Sequence, residues 1–270
     1  MNDTMIVAVY VVLDDVLRFL GHHTHPLAAV SDAEVLTVAV VAAGQCHTHH
    51  ERALCVLQGM GYLSGRLSVS RFNRRAHALM THLGLALDLL VAVFAVGEAL
   101  VIDSMPIPVC ARVRAGRCRK VQGRWYCGYC AAQEEKVFGW RLHLLCTPQG
   151  IPVAFELLPA AFHDLTPVYE LTAQIPGGAS VYADKGYNSA DDEAWLEGEW
   201  GIRLVPRRRD NMTPNSDGER DGLRRYRHRV ETVNSQLEAM GVQQLHARTN
   251  AGIALKLLAA LFALTVANAR

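Results

Sequence analysis

Two aspartates and a glutamate carry the chemistry most readily read from this chain. Asp103 is the only aspartate between Asp88 and Asp164, and it closes the apolar run ALVI. A charge in that position is costly unless the strand opens there into a site with metal or hydrogen-bond partners. Asp184 stands in the same relation to SVYA and leads into the turn Lys185, Gly186, Tyr187, Asn188. Two strand-end aspartates on adjacent strands would project into one place, where open α/β sheets put their ligands. The third acid is expected from LRRYRHRVETVNSQLEAMG, read as a long helix. Glu231 and Glu238 lie two turns apart on one face of it, so the pattern does not choose between them. Arg227, four residues before Glu231, could orient or neutralise that carboxylate.

Three converging carboxylates suit hard divalent cations with oxygen ligands, here Mg²⁺ or Mn²⁺. In phosphodiester chemistry one ion activates the attacking oxygen and a second stabilises the leaving one, at about 3.5 to 4 Å apart. Such a site needs cationic side chains to hold phosphates beside so many acids.

The elements that would position these residues differ between the two parts of the chain. Up to about residue 97 the pattern is helical. Ser31 and Glu34 form a capping box before the apolar run of α-helical character SDAEVLTVAVVAA, and a second helix is expected from near Ser70, carrying Arg71, Arg74 and Arg75. From residue 98 the texture changes: ALVIDSMPIPV reads as a buried strand, FGWRLHLLCTPQGIPVAFELLP as a hairpin, and ASVYADKGY and IRLVPRRR as further strands. HDLTPVYELTAQI and SADDEAWLEGEWG are helical stretches between them, the second capped by Ser189. The order implies a mixed sheet flanked by helices, with an all-α region before it. The expected domains are 1–97, a helical region, and 98–270, which carries the three acids.

A length of 270 residues, half of them apolar and a fifth charged, excludes a mainly disordered chain. Net charge is only +1, but three windows, 66–75, 112–124 and 203–229, hold 19 of the 27 lysines and arginines. Arginine predominates in them, and its planar fork suits phosphate. The side chains singled out for DNA are Arg71, Arg74, Arg75, Arg117, Arg119, Lys120, Arg124, Lys185, Arg207, Arg208, Arg209 and Arg227. Asp3 stands where a signal peptide has positive charge, so a cytoplasmic location beside the nucleoid is expected. The apolar stretches from Leu83 to Ile102 and from Ile253 to Ala269 are read as buried helices, since Asp88, Glu98 and Lys256 interrupt them.

Other constellations are less specific. Cys110, Cys118, Cys127 and Cys130 could hold zinc, but the first two lack close pairing and reduced thiols are the plainer reading. The histidines of HHTH (22–25) and HTHH (47–50) have metal affinity without a site. His163, beside Asp164, could position the strands or the DNA, and is a weak ligand candidate. Of Trp125, Tyr182 and Tyr187, which could stack on a distorted base, only Trp125 is expected to be exposed.

With these residues in view, the chain resembles bacterial insertion-sequence transposases of the DDE class, above all the insertion-sequence 982 family. The matching stretches run in family order from about residue 30 to 257: SDAEVLTVAV, SRFNRR, VIDSMPIPVC, GYC, FGWRLHLLCTPQGIPVAFELLP, HD, VYADKGYN and RVETVNSQL. The resemblance implies a ribonuclease-H-like catalytic domain, Asp103, Asp184 and Glu231 as catalytic metal ligands, and Arg227 as the arginine four residues before the glutamate. It implies double-stranded DNA as partner, both inverted-repeat ends and target, two Mg²⁺ or Mn²⁺ ions, and a homodimer during reaction. The activity implied is cleavage at the element's ends followed by strand transfer of the 3′ hydroxyl. One departure stands out: where many relatives have a lysine seven residues after the glutamate, this chain has Glu238. A nuclease of the same fold, or a catalytically silent DNA-binding derivative, are the alternatives.

Overall fold

The computed structural model describes residues 3–95, 97–130 and 134–269. The chain divides into two compact units, Met1–Val93 with Gln236–Arg270, and Phe94–Ser235. This differs from a single cut near residue 97, because the C-terminal segment packs with the N-terminal helices.

The reason is the character of two helices. α1 (Asp3–Phe19) buries one stripe, Ile6, Val9, Leu13 and Leu17, at helical spacing. α2 (Asp32–Gln45) is apolar all round and is buried from Ala33 to Ala43, so it needs neighbours on every side. α3 (His50–Gly59) and α4 (Val69–Ala78) supply part of that surround, and α5 (Met80–Phe94) follows α4 in the chain. The rest comes from the last helix, Asn250–Asn268, whose Leu255 to Thr265 stretch is largely buried. That helix is long and apolar enough to cross a membrane, but its burial among α1, α2 and α4 is that of a core helix. The apolar stretch from Leu83 to Ile102, in contrast, is not one buried helix: it divides between α5 and a strand.

The capping box forms as expected, with Ser31 Oγ accepting from Glu34 N and the Glu34 carboxylate accepting from Ser31 N. The carboxylate also accepts from the Ser64 amide and hydroxyl, which explains how a buried glutamate is tolerated. The helix expected from near Ser70 begins at Val69 behind a Ser68 cap, and it ends at Ala78, bent by 58° from α5.

In the second unit the strands are β1 (Ala99–Pro108), β2 (Cys127–Cys130), β3 (Glu135–Cys146), β4 (Pro152–Pro159), β5 (Ser180–Ala183) and β6 (Arg203–Pro206). They form one six-stranded sheet among the described residues, in the order β2-β3-β1-β5-β6, with β4 also on β3. β1, β3 and β4 are antiparallel, whereas β1, β5 and β6 are parallel. The parallel connections run through α6 (Val168–Thr172) and α7 (Ala190–Trp200), and α8 (Asp217–Ala239) follows β6. This is the mixed sheet flanked by helices expected of a ribonuclease-H-like domain. β2, within CGYC, is an addition that the sequence did not signal, and HDLTPVYELTAQI yields only a short helix after two turns.

Strand alternation gives the sheet two distinct faces. Leu100 and Ile102 point into a core with Val168, Leu171, Leu196 and Tyr187, under α6 and α7. The opposite face carries Tyr182, on whose ring α8 lies so closely that a side chain at Gly222 would meet it. Tyr226, one turn on, packs against the same ring at 5.2 Å.

Candidate active site at the strand ends

The parallel ladder between β1 and β5 pairs Ala99 with Ser180, Leu100 with Val181 and Val101 with Tyr182. Two residues further along each strand stand Asp103 and Asp184, so register alone sets them side by side and on one face. β5 ends at Ala183, but β1 does not end at Asp103. It runs on to Pro108, with Asp103 opposite Leu144 of β3. Asp103 is thus an end residue only toward β5, where the ladder stops and the edge opens; on the other side β3 holds it in a continuous strand.

Both aspartates are half-buried. Burial pushes the Asp103 carboxyl up to about 6, the charges of Asp164 and Asp184 adding to the effect and Arg227 opposing it. The Asp103 carboxyl thus keeps its proton longer than an exposed one, chiefly because it is buried.

α8 answers this with one face. Arg227 reaches Asp184 at 3.4 Å and Glu231 at 3.8 Å, and Asn234 Nδ2 donates to Asp103 Oδ2 at 3.1 Å. Residues 227, 231 and 234 recur at helical spacing, while Val230, Val233 and Leu237 form the buried stripe that fixes the rotation of the helix. Glu231 itself is 62% exposed and meets the cluster through Arg227. The Glu238 carboxylate accepts instead from Gln243, five residues on in its own segment. Asn234 was not foreseen as a site residue; its place one turn beyond Glu231 is the signal that could have found it.

Asp164 is the second residue that spacing did not reveal. Its Oδ1 accepts from Ser104 Oγ at 2.7 Å and from Arg141 Nη1 at 3.0 Å, and Arg141 also donates to the Tyr129 carbonyl at 2.8 Å. His163, by contrast, is exposed, and its ring accepts from the Leu165 amide. Asn188 closes the turn after Asp184 by donating to the carbonyls of Lys185 and Arg207.

Among the described residues, no three His, Cys, Asp or Glu side chains gather closely enough to hold a metal ion. That covers the cysteine cluster, where the Cys110 and Cys118 thiols hydrogen-bond each other and all four cysteines are free.

The basic side chains divide into free and engaged. Arg71 and Arg74 are exposed on α4, but Arg75 is clamped on Asp32, which His22 also contacts. Arg208 makes two hydrogen bonds to Glu193 and one to Asn188, so it ties β6 to α7 rather than facing solvent. Lys185 pairs with Asp210 at 3.2 Å, and Lys120 donates to the Val109 carbonyl at 3.3 Å. Arg117, Arg119 and Arg124 are exposed, the last lying over the Trp125 ring. Trp125 is 55% exposed, as expected, whereas Tyr187 is fully buried and Tyr182 lies half-buried under α8. Arg207, Arg209, Arg220, Arg224 and Arg227 help to wall a cleft of about 470 Å³ that begins at the cluster, since Arg227 belongs to both.

A mixed sheet whose adjacent parallel strands present paired aspartates to a helix bearing arginine and glutamate defines an acid-centred α/β domain. The transposase DDE domain matches residues 95–266, and the chain belongs to that family. No curated protein matches it. Among solved structures it is similar to the Mos1 transposase paired-end complex with left transposon end, at 12% identity over 82% of this chain and 81% of that one. The TM-score is 0.25.

Proposed function

We propose that this chain is a DNA transposase of an insertion sequence, in the manner of the insertion-sequence 982 family, cutting at the element's ends and joining the 3′ hydroxyl to target DNA. The reading rests chiefly on one observation, the in-register pair Asp103 and Asp184 with Arg227 bridging Asp184 and Glu231. The first step is hydrolysis of a phosphodiester to leave a 3′ hydroxyl; the second is attack by that hydroxyl on a target phosphodiester.

The paired aspartates suit divalent metal: hard carboxylate oxygens, half-buried and set side by side by strand register, with burial raising the Asp103 carboxyl to about 6. Asp103 and Asp184 would hold Mg²⁺ or Mn²⁺, and Glu231, which here meets the pair only through Arg227, would have to turn inward to be the third donor. Two such ions, when bound, would activate the attacking oxygen and stabilise the leaving one. Asn234 orients the Asp103 carboxylate, and Arg227 orients Asp184 and Glu231. The exposed arginines of the cleft would neutralise the DNA backbone beside these acids, with Arg71 and Arg74 of the helical unit serving end binding or assembly. Bringing two ends together calls for a homodimer during reaction, working beside the nucleoid in the cytoplasm; a cleavage-competent monomer in light scattering would count against the dimer.

Asp184→Asn is expected to abolish Mg²⁺-dependent cleavage of end-containing DNA while leaving DNA binding largely intact. Undiminished cleavage by that variant sinks the assignment. Joined product from a pre-cut 3′ hydroxyl end separates a transposase from a nuclease of the same fold. The second reading, a silent DNA-binding derivative, draws on Glu238, which puts an acid where many relatives have a lysine, and metal-dependent nicking by the wild-type chain excludes it.

A further inference from the structure

Asp164 lies on the far side of the sheet from α8, beneath the two aspartates. Its Oδ1 takes hydrogen bonds from Ser104, the residue next to Asp103, and from Arg141 of β3. Its Oδ2 lies against Gly186, two residues after Asp184, where an added Cβ would stand 2.8 Å from that oxygen. Arg141 itself is fastened at the other end to the Tyr129 carbonyl on β2 and touches Ser104 at 3.3 Å. One carboxylate therefore touches the strand that carries Asp103 and the turn that carries Asp184, the place where β5 has ended and no ladder hydrogen bond holds the two together.

We infer that Asp164 is a positioning residue, which sets the spacing of Asp103 and Asp184 by clamping Ser104 and the Gly186 turn from behind the sheet. Glycine at 186 is part of the device, since any side chain there would displace the carboxylate. Outer partners of metal-holding carboxylates typically affect metal affinity or activity by about 10- to 100-fold. The inference rests on the metal-dependent reading of the two aspartates.

The test compares wild type, Asp164→Asn and Gly186→Ala. Asp164→Asn removes the charge with little change of shape, and Gly186→Ala keeps the charge but shifts the carboxylate. Mn²⁺ affinity is read from the free-ion electron paramagnetic resonance signal, and kcat and KM from cleavage of end-containing DNA. Both variants are expected to bind Mn²⁺ about 10-fold more weakly and to lose about 10- to 100-fold in kcat, with KM for DNA unchanged. A merely structural role would lower the amount of folded protein and leave the kcat and Mn²⁺ affinity of the folded fraction as in wild type. Wild-type values of both in folded variants overturn the inference and leave the transposase reading standing. A wild-type protein that neither binds Mn²⁺ nor cleaves overturns that reading, and this inference with it.

Discussion

Asn234 donates to Asp103 across 131 residues of sequence, at 3.1 Å, and so fastens a helix near the end of the second unit to the second residue past the β1–β5 ladder. The bond orients one oxygen of Asp103, on which the Arg227 charge acts only at a distance. Arg227, seven residues earlier on the same helix, supplies the charge to Asp184 instead. A division of labour follows, and with it a set of expectations.

Replacing Asn234 with alanine removes a hydrogen bond to a charged group, worth about 1.5–3 kcal/mol. Cleavage should fall by roughly 10- to 100-fold with circular dichroism unchanged. Asn234→Asp, which sets a like charge on Asp103, should fall further. Equal rates for wild type and Asn234→Ala would show that the bond does not serve the reaction.

Arg207 and Arg224 are exposed at the basic cleft and should act on DNA through phosphate alone. Each alanine variant should weaken binding to all sequences and reduce the slope of log K against log salt by about 0.9. Filter binding across a salt series measures this, and an unchanged slope for both would remove the cleft from the DNA path.

Arg208 should behave differently from its neighbour Arg207, because its guanidinium is committed to Glu193 and Asn188. Arg208→Ala should destabilise the fold by about 1–3 kcal/mol in urea unfolding, and a double-mutant cycle with Glu193→Gln should show coupling. Additive effects in that cycle would deny the clamp.

Acid should weaken the fold. Burial holds the His50 imidazole at about 4, with Lys256 adding to the effect, and burial likewise holds His143 at about 4. Unfolded, both titrate near 6.5, so between about 6.5 and 4 the unfolded chain binds more protons than the folded one. Their contribution is complete above the upper value and is lost as pH falls to the lower, on the order of 3 kcal/mol each. Asp103 acts in the opposite sense between about 6 and its ordinary 3.8, because the folded chain keeps that proton longer. Urea unfolding at pH 7.5, 6 and 4.5 checks the sum. His50→Gln should flatten the dependence, Asp103→Asn should steepen it, and a pH-independent wild type would refute the assignment.

Much of this was legible in the chain itself. The order of elements from residue 98 follows from local signals: alternating or continuous apolar runs for strands, Ser189 and Gly201 bounding α7, and Gly150 at φ +88° in the hairpin turn. The Ser31 and Glu34 cap, and the two aspartates, were legible for the same reason, since a cap or a charge ending an apolar run is costly or useful within a few residues of itself. The twelve candidate cations were legible only as types. Arg75 and Arg208 read like their neighbours until Asp32 and Glu193 are found against them.

What the sequence determined, then, is the kind of groups present and the local elements that carry them, because those depend on periodicity, capping and turn residues a few positions apart. What tertiary structure decided is which of those groups meet. Parallel register put Asp103 beside Asp184, the rotation of α8 brought Asn234 rather than Glu231 onto Asp103, and the sheet's far face set Asp164 under both strands. The last helix left its sequence neighbours to complete the N-terminal core, since an all-apolar helix is stable only where every side can be buried. Contacts across more than a hundred residues have no periodic trace in the sequence; packing of complementary surfaces alone selects them.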